Sequence, residues 1–288
     1  MKLGAIFPQT EIGSDPADMR AWAAAVESLG YDYIQLYDHI VGAHPERPGG
    51  WHGPYTIQTP FHEIMTTLAY IAAHTRTMHL LTGIVILPQR GTALVAKQAA
   101  TLDILSEGRL WLGVGAGWNA VEMQAAGYDF GTRGRRMTEQ VQVLQQLWTQ
   151  ARVSFAGEFH TLDDVGLNPM PRQRPIPLWF GGGSAPAFRR MAQYGVGWVA
   201  NAADPATRGA EAVAGLRAAL ADAERDPAEF LISVPLSVVR LAPDEWPAYI
   251  DAWRDLGATH IAALTMGAGY TPQEHIAALA RFREAWPA

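Results

Sequence analysis

The chain has 288 residues, of which 49% are hydrophobic and 17% are charged, and this is enough for one large core and a single domain over residues 1–288. Its formal net charge of −6, without any basic run, gives no electrostatic reason to expect a nucleic-acid partner. The sequence contains no cysteine, which excludes disulfides, thiolate metal sites and a cysteine nucleophile.

The amino terminus, MKLGAIFPQT, carries an apolar stretch that is too short for a signal peptide, and it predicts a strand. No apolar run approaches the length that crosses a membrane. We therefore expect a cytoplasmic protein with no membrane partner.

One local pattern occurs four times: a helix that ends at glycine, followed by a short apolar strand. Glycine just past a helix supplies a left-handed cap that lets the chain turn back sharply. The strands are rich in β-branched and aromatic residues, which is typical of strands buried on both faces. The four copies span residues 28–38, 106–115, 193–201 and 255–265.

Four more strands are predicted between these copies, over residues 2–7, 79–87, 176–182 and 230–236. Helical patterns separate the strands, and the first helix has a Ser14/Asp15 cap followed by Pro16. The predicted helices span residues 16–29, 62–74, 92–106, 135–149, 184–194, 208–224, 243–256 and 272–285. Two long insertions follow strands two and four, at residues 39–61 and 117–174.

Eight strands that alternate with helices predict an α/β fold, and eight is the number that closes a (β/α)8 TIM barrel. A doubly wound open sheet is the alternative. It usually carries a GxGxxG turn after its first strand, which PQTEIG after residue 7 does not supply. In a barrel, we expect the functional residues at the carboxyl ends of the strands and in the loops that follow.

The end of strand five predicts an anion site. Consecutive glycines let backbone N–H groups approach an anion, and the start of a helix adds partial positive charge. Arg189 and Arg190 lie on the helix that follows and are placed to support a phosphate or an acidic tail. A flexible tight turn is the alternative. The predicted site consists of Gly181, Gly182, Gly183 and Ser184.

Small residues at the end of strand four, in Leu-Gly-Val-Gly-Ala-Gly-Trp (112–118), predict a flat floor on which a planar ring can lie. Gly115 and Gly117 are the residues that would form it. The alternative is close packing between helix and strand.

His39 ends strand two beside Asp38. A histidine at the rim of a barrel can deprotonate a substrate hydroxyl, and Asp38 could fix its tautomer. The alternative is a loop histidine that caps or packs. The spacing of His44, His52 and His62 matches no metal motif, so we expect no metal. The absence of a Gly-x-Ser-x-Gly motif argues against a hydrolase.

Four ordered blocks resemble the luciferase-like monooxygenase superfamily, and together they cover nearly the whole chain. The most specific block contains a strand, a helix with Lys97, then Ser-x-Gly-Arg and Gly-x-Gly. The chain looks closest to the branch that uses coenzyme F420, a deazaflavin, rather than FMN. The blocks span residues 29–40, 80–118, 133–148 and 177–198.

The resemblance implies that an isoalloxazine-type ring lies in the barrel mouth against strand three, at a bulge with a non-proline cis peptide between Gly83 and Ile84. It places the phosphate on Gly182 and Gly183, and His39 near the reactive carbon as the catalytic residue. It also implies a homodimer. The expected coenzyme contacts are Asp38, His39, Thr82, Gly83, Ile84, Gly115, Gly117 and Gly181–Ser184.

Two positions depart from the pattern of the dehydrogenases in this branch. A Trp usually stands a few residues after the histidine, but this chain has Ala43 there. A Glu tends to follow Gly-x-Gly, where this chain has Trp118. His39 is therefore either a catalytic base or only a coenzyme contact. The arginines at positions 133, 135 and 136 are interpreted as a solvated helix start rather than as contacts to an anionic coenzyme tail.

The resemblance thus predicts an oxidoreductase that transfers a hydride between F420 and a small-molecule substrate. An FMN-dependent monooxygenase is the alternative, and a non-catalytic flavin-binding protein is a third reading. Residues of the loop 41–61 are expected to cover the substrate, and their aromatic content favours an apolar or planar molecule. This expected lid consists of Trp51, His52 and Tyr55, together with Trp118.

Overall fold

The computed structural model describes residues 1–201 and 204–286. Parallel strands form a barrel, helices pack around it, and a separate antiparallel hairpin, β6–β7, lies outside. In chain order the strands are β1 (Lys2–Ile6), β2 (Tyr33–Leu36), β3 (His79–Thr82), β4 (Val85–Ile86), β5 (Leu110–Gly115), β6 (Val153–Ala156), β7 (Thr161–Val165), β8 (Leu178–Gly181), β9 (Gly197–Val199), β10 (Leu231–Ser237) and β11 (His260–Leu264).

Except for α4, which was not predicted, the helices lie where the periodicity predicted them, within a few residues at each end. None of the helices in the described part of the chain is long and apolar enough to cross a membrane. They are α1 (Pro16–Ser28), α2 (Ile64–His74), α3 (Thr92–Leu105), α4 (Ala120–Ala125), α5 (Arg133–Thr149), α6 (Ala185–Tyr194), α7 (Ala210–Asp222), α8 (Trp246–Asp255) and α9 (Pro272–Ala285).

The barrel is closed. Each strand pairs in parallel with its neighbours, β4 continues the third barrel strand, and β3 pairs with β5 through Leu80 opposite Leu110 and Leu81 opposite Trp111. Eight strand positions therefore complete the ring, as predicted, and the open-sheet alternative is wrong.

The predicted turn chemistry is confirmed at most helix ends. Gly30, Gly108 and Gly257 have φ values of 76°, 85° and 91°, which is the left-handed cap expected there. Gly195 differs, because its φ is −94°. A Cβ at this position would lie 2.9 Å from the Phe180 ring, so glycine is needed there for close packing.

Both predicted insertions contain ordered structure. In the first, Ala43 forms an isolated bridge with Thr56. The second contains α4, α5 and the β6–β7 hairpin, of which only α5 was predicted. The hairpin was missed because most of its residues are exposed, so it lacks an alternating apolar pattern.

Aromatic side chains fill the barrel below its mouth. Trp179 and Tyr33 are fully buried inside it. The His79 ring stacks on Trp111 with centroids 4.0 Å apart, and His260 meets the same Trp edge-on at 5.6 Å. His79 and His260 begin their strands, so this stack closes the amino-terminal end of the barrel and leaves the carboxyl ends to form the site.

Candidate active site

His39 lies at the mouth, and its partner is Glu122. The Nδ1 atom of His39 is 2.9 Å from Oε2 of Glu122, whose side chain is fully buried. The other carboxylate oxygen accepts a hydrogen bond from the backbone N–H of Ile40. The carboxylate of Glu122 accepts a hydrogen bond from the Nδ1–H of His39. In this tautomer of the neutral ring, Nε2 carries no proton and can act as an acceptor.

Asp38 does not orient His39, so that expectation is wrong. Its carboxylate is buried and accepts hydrogen bonds from Nη2 of Arg90 at 2.6 Å and from the backbone N–H of Ile86 at 2.9 Å. Arg90 also donates to Glu63 at 2.9 Å. Asp38 therefore links the end of β4 and Arg90 to the segment just after β2.

Glu122 was missed by sequence reasoning. A Glu was sought directly after Gly-x-Gly, at Trp118, but the chain places one four residues later, on α4. The sequence Asn119-Ala-Val-Glu122 is a recognisable helix start, and Asn119 Oδ1 accepts from the N–H groups of Val121 and Glu122 at 3.0 and 3.1 Å. Predicting α4 would have brought Glu122 to the site.

Aromatic rings surround His39. The centroids of Tyr55, Phe61 and Trp118 lie 4.9, 4.9 and 5.8 Å from the imidazole. Trp51 packs on Trp118 at 5.8 Å, and its indole N–H donates to the Tyr55 carbonyl at 2.8 Å. We call Trp51, Tyr55, Phe61 and Trp118 the aromatic cage. Three of the predicted lid residues thus come together, and Phe61 joins them.

His52 is exposed and takes no part in the aromatic cage; in the described residues its ring makes no hydrogen bond. Ala43, which stands where a Trp was expected, is only 2% exposed and forms a backbone bridge with Thr56. Burial raises the pKa of the Tyr55 phenol, so Tyr55 stays neutral at physiological pH.

The third strand ends at an irregularity beside the mouth. The peptide bond between Gly83 and Ile84 is cis, as the resemblance implied. The Thr82 side chain is buried and donates a hydrogen bond to the Gly113 carbonyl at 2.7 Å. Thr82 therefore ties β3 to β5.

The predicted glycine floor is filled by a side chain. A Cβ at Gly115 would lie 2.4 Å from Cδ1 of Ile84, and one at Gly181 would lie 3.0 Å from Cγ1. Gly117 has a φ of 76°, and a Cβ there would lie 2.5 Å from Cγ2 of Ile86. The expectation that a ring lies directly on these glycines is wrong, because they make room for isoleucine side chains.

The loop after β8 is open to a ligand. Gly182 has a φ of 107°, and its carbonyl accepts the indole N–H of Trp198 at 2.7 Å. A Cβ at Gly183 would meet no described heavy atom within 4 Å. Ser184 precedes α6, and among the described residues its side chain caps no backbone N–H. This exposed cradle of backbone N–H groups fits a phosphate.

The sequence matches the luciferase-like monooxygenase family over residues 2–264. The chain belongs to this family. Relatives within the luciferase-like monooxygenase family include an F420-dependent glucose-6-phosphate dehydrogenase from Amycolatopsis mediterranei, 27% identical over 188 residues that cover 64% of this chain and 53% of that protein. They also include an FMNH2-dependent dimethylsulfone monooxygenase from Pseudomonas putida, 37% identical over 140 residues, or 48% and 38% of the two chains.

The chain therefore spans less than two thirds of the length of these curated relatives. The structure of an F420-dependent secondary alcohol dehydrogenase in complex with an F420-acetone adduct superposes with a TM-score of 0.79 at 17% identity, covering 100% of this chain and 99% of the other. This likeness shows a shared fold. Members of the family thus depend on either F420 or FMN.

Proposed function

We propose that this chain is an oxidoreductase that transfers a hydride between coenzyme F420 and a small organic substrate. The observation that supports the proposal is the pairing of His39 with Glu122 at the mouth, 2.9 Å apart. Hydride transfer to or from a carbon that bears oxygen also requires a proton to move at that oxygen. A histidine held by a buried carboxylate is suited to that proton transfer.

When bound, F420 would accept or supply the hydride. The chain's own residues would handle the proton. In the oxidising direction, the substrate hydroxyl loses its proton to Nε2 of His39 while its carbon loses the hydride, and a carbonyl forms. Glu122 stabilises the resulting imidazolium and keeps the ring oriented. Within the described residues Nε2 makes no hydrogen bond, so it is free for substrate.

The coenzyme would be held at two places. The backbone N–H groups from Gly182 to Ser184 would bind its phosphate, and Ile84, supported by the space at Gly115 and Gly181, would back its ring. Asp38, Thr82 and Gly117 would act indirectly, by fixing the backbone around the ring.

The aromatic cage favours an apolar or planar substrate. Three of its rings surround the imidazole of His39, which carries the proposed proton-transfer atom, and Trp118 is 47% exposed. The loop and its start also carry exposed apolar side chains, at Ile40, Val41 and Ile57. An apolar wall excludes water and gains affinity from contact with apolar carbon.

An FMN-dependent monooxygenase is the second candidate, favoured by the Pseudomonas putida relative. Reduced FMN reacts with oxygen, and deazaflavin lacks the nitrogen that supports that chemistry. Turnover measured with and without oxygen separates the two. We expect F420-dependent turnover of apolar alcohols or carbonyl compounds that does not require oxygen. Product formation only with reduced FMN and oxygen would contradict the proposal.

We also propose that the protein is a homodimer in the cytoplasm. Leu94 and Leu105, three turns apart on α3, are 62% and 60% exposed, and such apolar side chains on one helix face are typical of an interface. Light scattering is expected to give twice the chain mass of 31.3 kDa. A monomer at micromolar concentration would contradict the dimer alone.

A further inference from the structure

Four arginines lie together beside the predicted phosphate loop. Arg133 and Arg136 stand in the first turn of α5, and Arg189 and Arg190 lie on α6, which follows the loop directly. The two helices meet here, since Nη1 of Arg190 is 3.5 Å from the Gly134 carbonyl oxygen. We call these four residues the arginine cluster.

The arginine cluster borders the mouth between β5 and β8. Nε of Arg133 donates to the carbonyl of Gly117, just beyond β5, at 3.3 Å. Its guanidinium lies 3.7 Å from the centroid of Phe130, and that of Arg136 lies 4.1 Å from Tyr128. The expected solvated helix start is therefore wrong for these two residues, which are packed on aromatic rings and partly buried.

The cluster has no counter-charge in the described part of the chain. None of the four arginines forms an ion pair there, since nearby Glu158 pairs with Arg135 and Glu139 pairs with His160 at 2.6 Å. The Nε atoms of Arg136 and Arg190 are buried without a hydrogen-bond partner. Burial, and then the neighbouring Arg189, lower the pKa of Arg190.

Two other buried or partly buried arginines, Arg90 and Arg109, have hydrogen-bond partners for their guanidinium groups. Arg90 binds two carboxylates, and Arg109 donates five hydrogen bonds, four to carbonyl groups and one to Thr75. Leaving a buried donor unpaired is costly, so the unpaired Nε groups of Arg136 and Arg190, at the edge of the site and without an ion pair, point to a missing anion. The chain's net charge of −6 makes this local excess of positive charge more unusual.

We propose that the arginine cluster binds the carboxylate-bearing tail of the coenzyme, beyond its phosphate. The inference rests on the proposed function. F420 carries glutamyl residues beyond its phosphate, whereas FMN ends at the phosphate. Arg190 lies about 8 Å along α6 from the start of the helix, which is beyond a phosphate bound at that start. Guanidinium groups bind carboxylates in a bidentate manner, so the cluster selects a coenzyme with an anionic tail.

Fluorescence titration with three deazaflavins tests this binding: one without phosphate or tail, one with the phosphate alone, and F420 with several glutamyl residues. At low ionic strength, the wild-type protein is expected to bind the tailed form about tenfold more tightly than the phosphate-only form, and added salt should shrink this difference. The form without phosphate should bind most weakly.

The triple variant R136Q/R189Q/R190Q is expected to lose the preference for the tail while its affinity for the phosphate-only form stays the same. The control variant R20Q/R172Q/R281Q removes three exposed arginines on other parts of the surface and should keep the preference. If the triple variant does not fold, the exposed Arg189→Glu serves instead, and it should weaken binding of the tailed form alone.

Equal affinity of the wild-type protein for tailed and phosphate-only forms would overturn the inference and leave the proposed function intact. The inference would also be overturned if R136Q/R189Q/R190Q still preferred the tailed form, or if R20Q/R172Q/R281Q lost that preference to the same extent. Binding of FMN with no response to any deazaflavin would instead overturn the proposed function itself, and the tail site with it.

Discussion

The pair formed by His39 and Glu122 shows how far single residues can be read from a sequence. The position of His39 at a strand end follows from the strand pattern and the barrel rule. Its partner does not, because Asp38 is the neighbour in sequence while Glu122 is the neighbour in space, 83 residues away. Both residues lie just beyond the end of β2, where Asp38 binds Arg90 while His39 contacts the aromatic cage.

Replacing His39 by Asn is expected to lower kcat/KM by about 10²- to 10⁴-fold, the usual contribution of general acid–base catalysis. Glu122→Gln should cause a smaller loss, because it keeps the side-chain shape but cannot stabilise an imidazolium. Steady-state kinetics across pH, together with coenzyme affinity, would check this. Full activity in His39→Asn would show that this histidine is only a coenzyme contact.

At the scale of elements, the sequence predicts the barrel well, because its strands are buried apolar runs and its main helices are long, patterned segments. It fails for α4, which has only six residues, and for the β6–β7 hairpin, whose residues are mostly exposed. It also misreads the glycines at the end of β5, since nothing in the sequence shows that Ile84 and Ile86 occupy the space beside Gly115 and Gly117. Tertiary packing, rather than local pattern, decides these features.

The loop between β8 and α6 allows a clean test of phosphate binding. A Cβ at Gly183 meets no described atom, so Gly183→Val should leave the free energy of unfolding within about 0.5 kcal/mol of wild type. The same side chain would stand in the path of a phosphate and should weaken coenzyme binding at least about tenfold. The matched control is Gly91→Val, at another open glycine before a helix. Equal coenzyme affinity in Gly183→Val and wild type would place the phosphate elsewhere.

At the scale of the whole molecule, the two ends of the barrel differ: one is closed by packed aromatic rings, and the other carries the candidate site. The aromatic stack around Trp111 closes the amino-terminal end, and the site occupies the other end. The stack contains two histidines, and burial lowers the pKa of both, that of His260 to about 4. Lys2 and the amino terminus lower the pKa of His260 further, and Asp32 opposes them.

This stack predicts acid sensitivity. Because the folded state lowers the pKa of His260 from 6.5 to about 4, the folded protein binds fewer protons than the unfolded chain as pH falls below 6.5. The contribution of neutral His260 to the free energy of unfolding is fully present above pH 6.5. It is lost as the pH falls to about 4, by a total on the order of 3 kcal/mol. Urea unfolding of His260→Gln and wild type between these values should show a weaker pH dependence in the variant. An equal pH dependence of the free energy of unfolding in both proteins would show that His260 does not cause the acid sensitivity.

The most direct measurement for the whole account is a side-by-side fluorescence titration of the purified protein with F420 and FMN. The phosphate loop and the arginine cluster predict that F420 binds at least about tenfold more tightly than FMN at low salt, because only F420 engages both sites. Tight binding of FMN with no response to F420 would contradict the account.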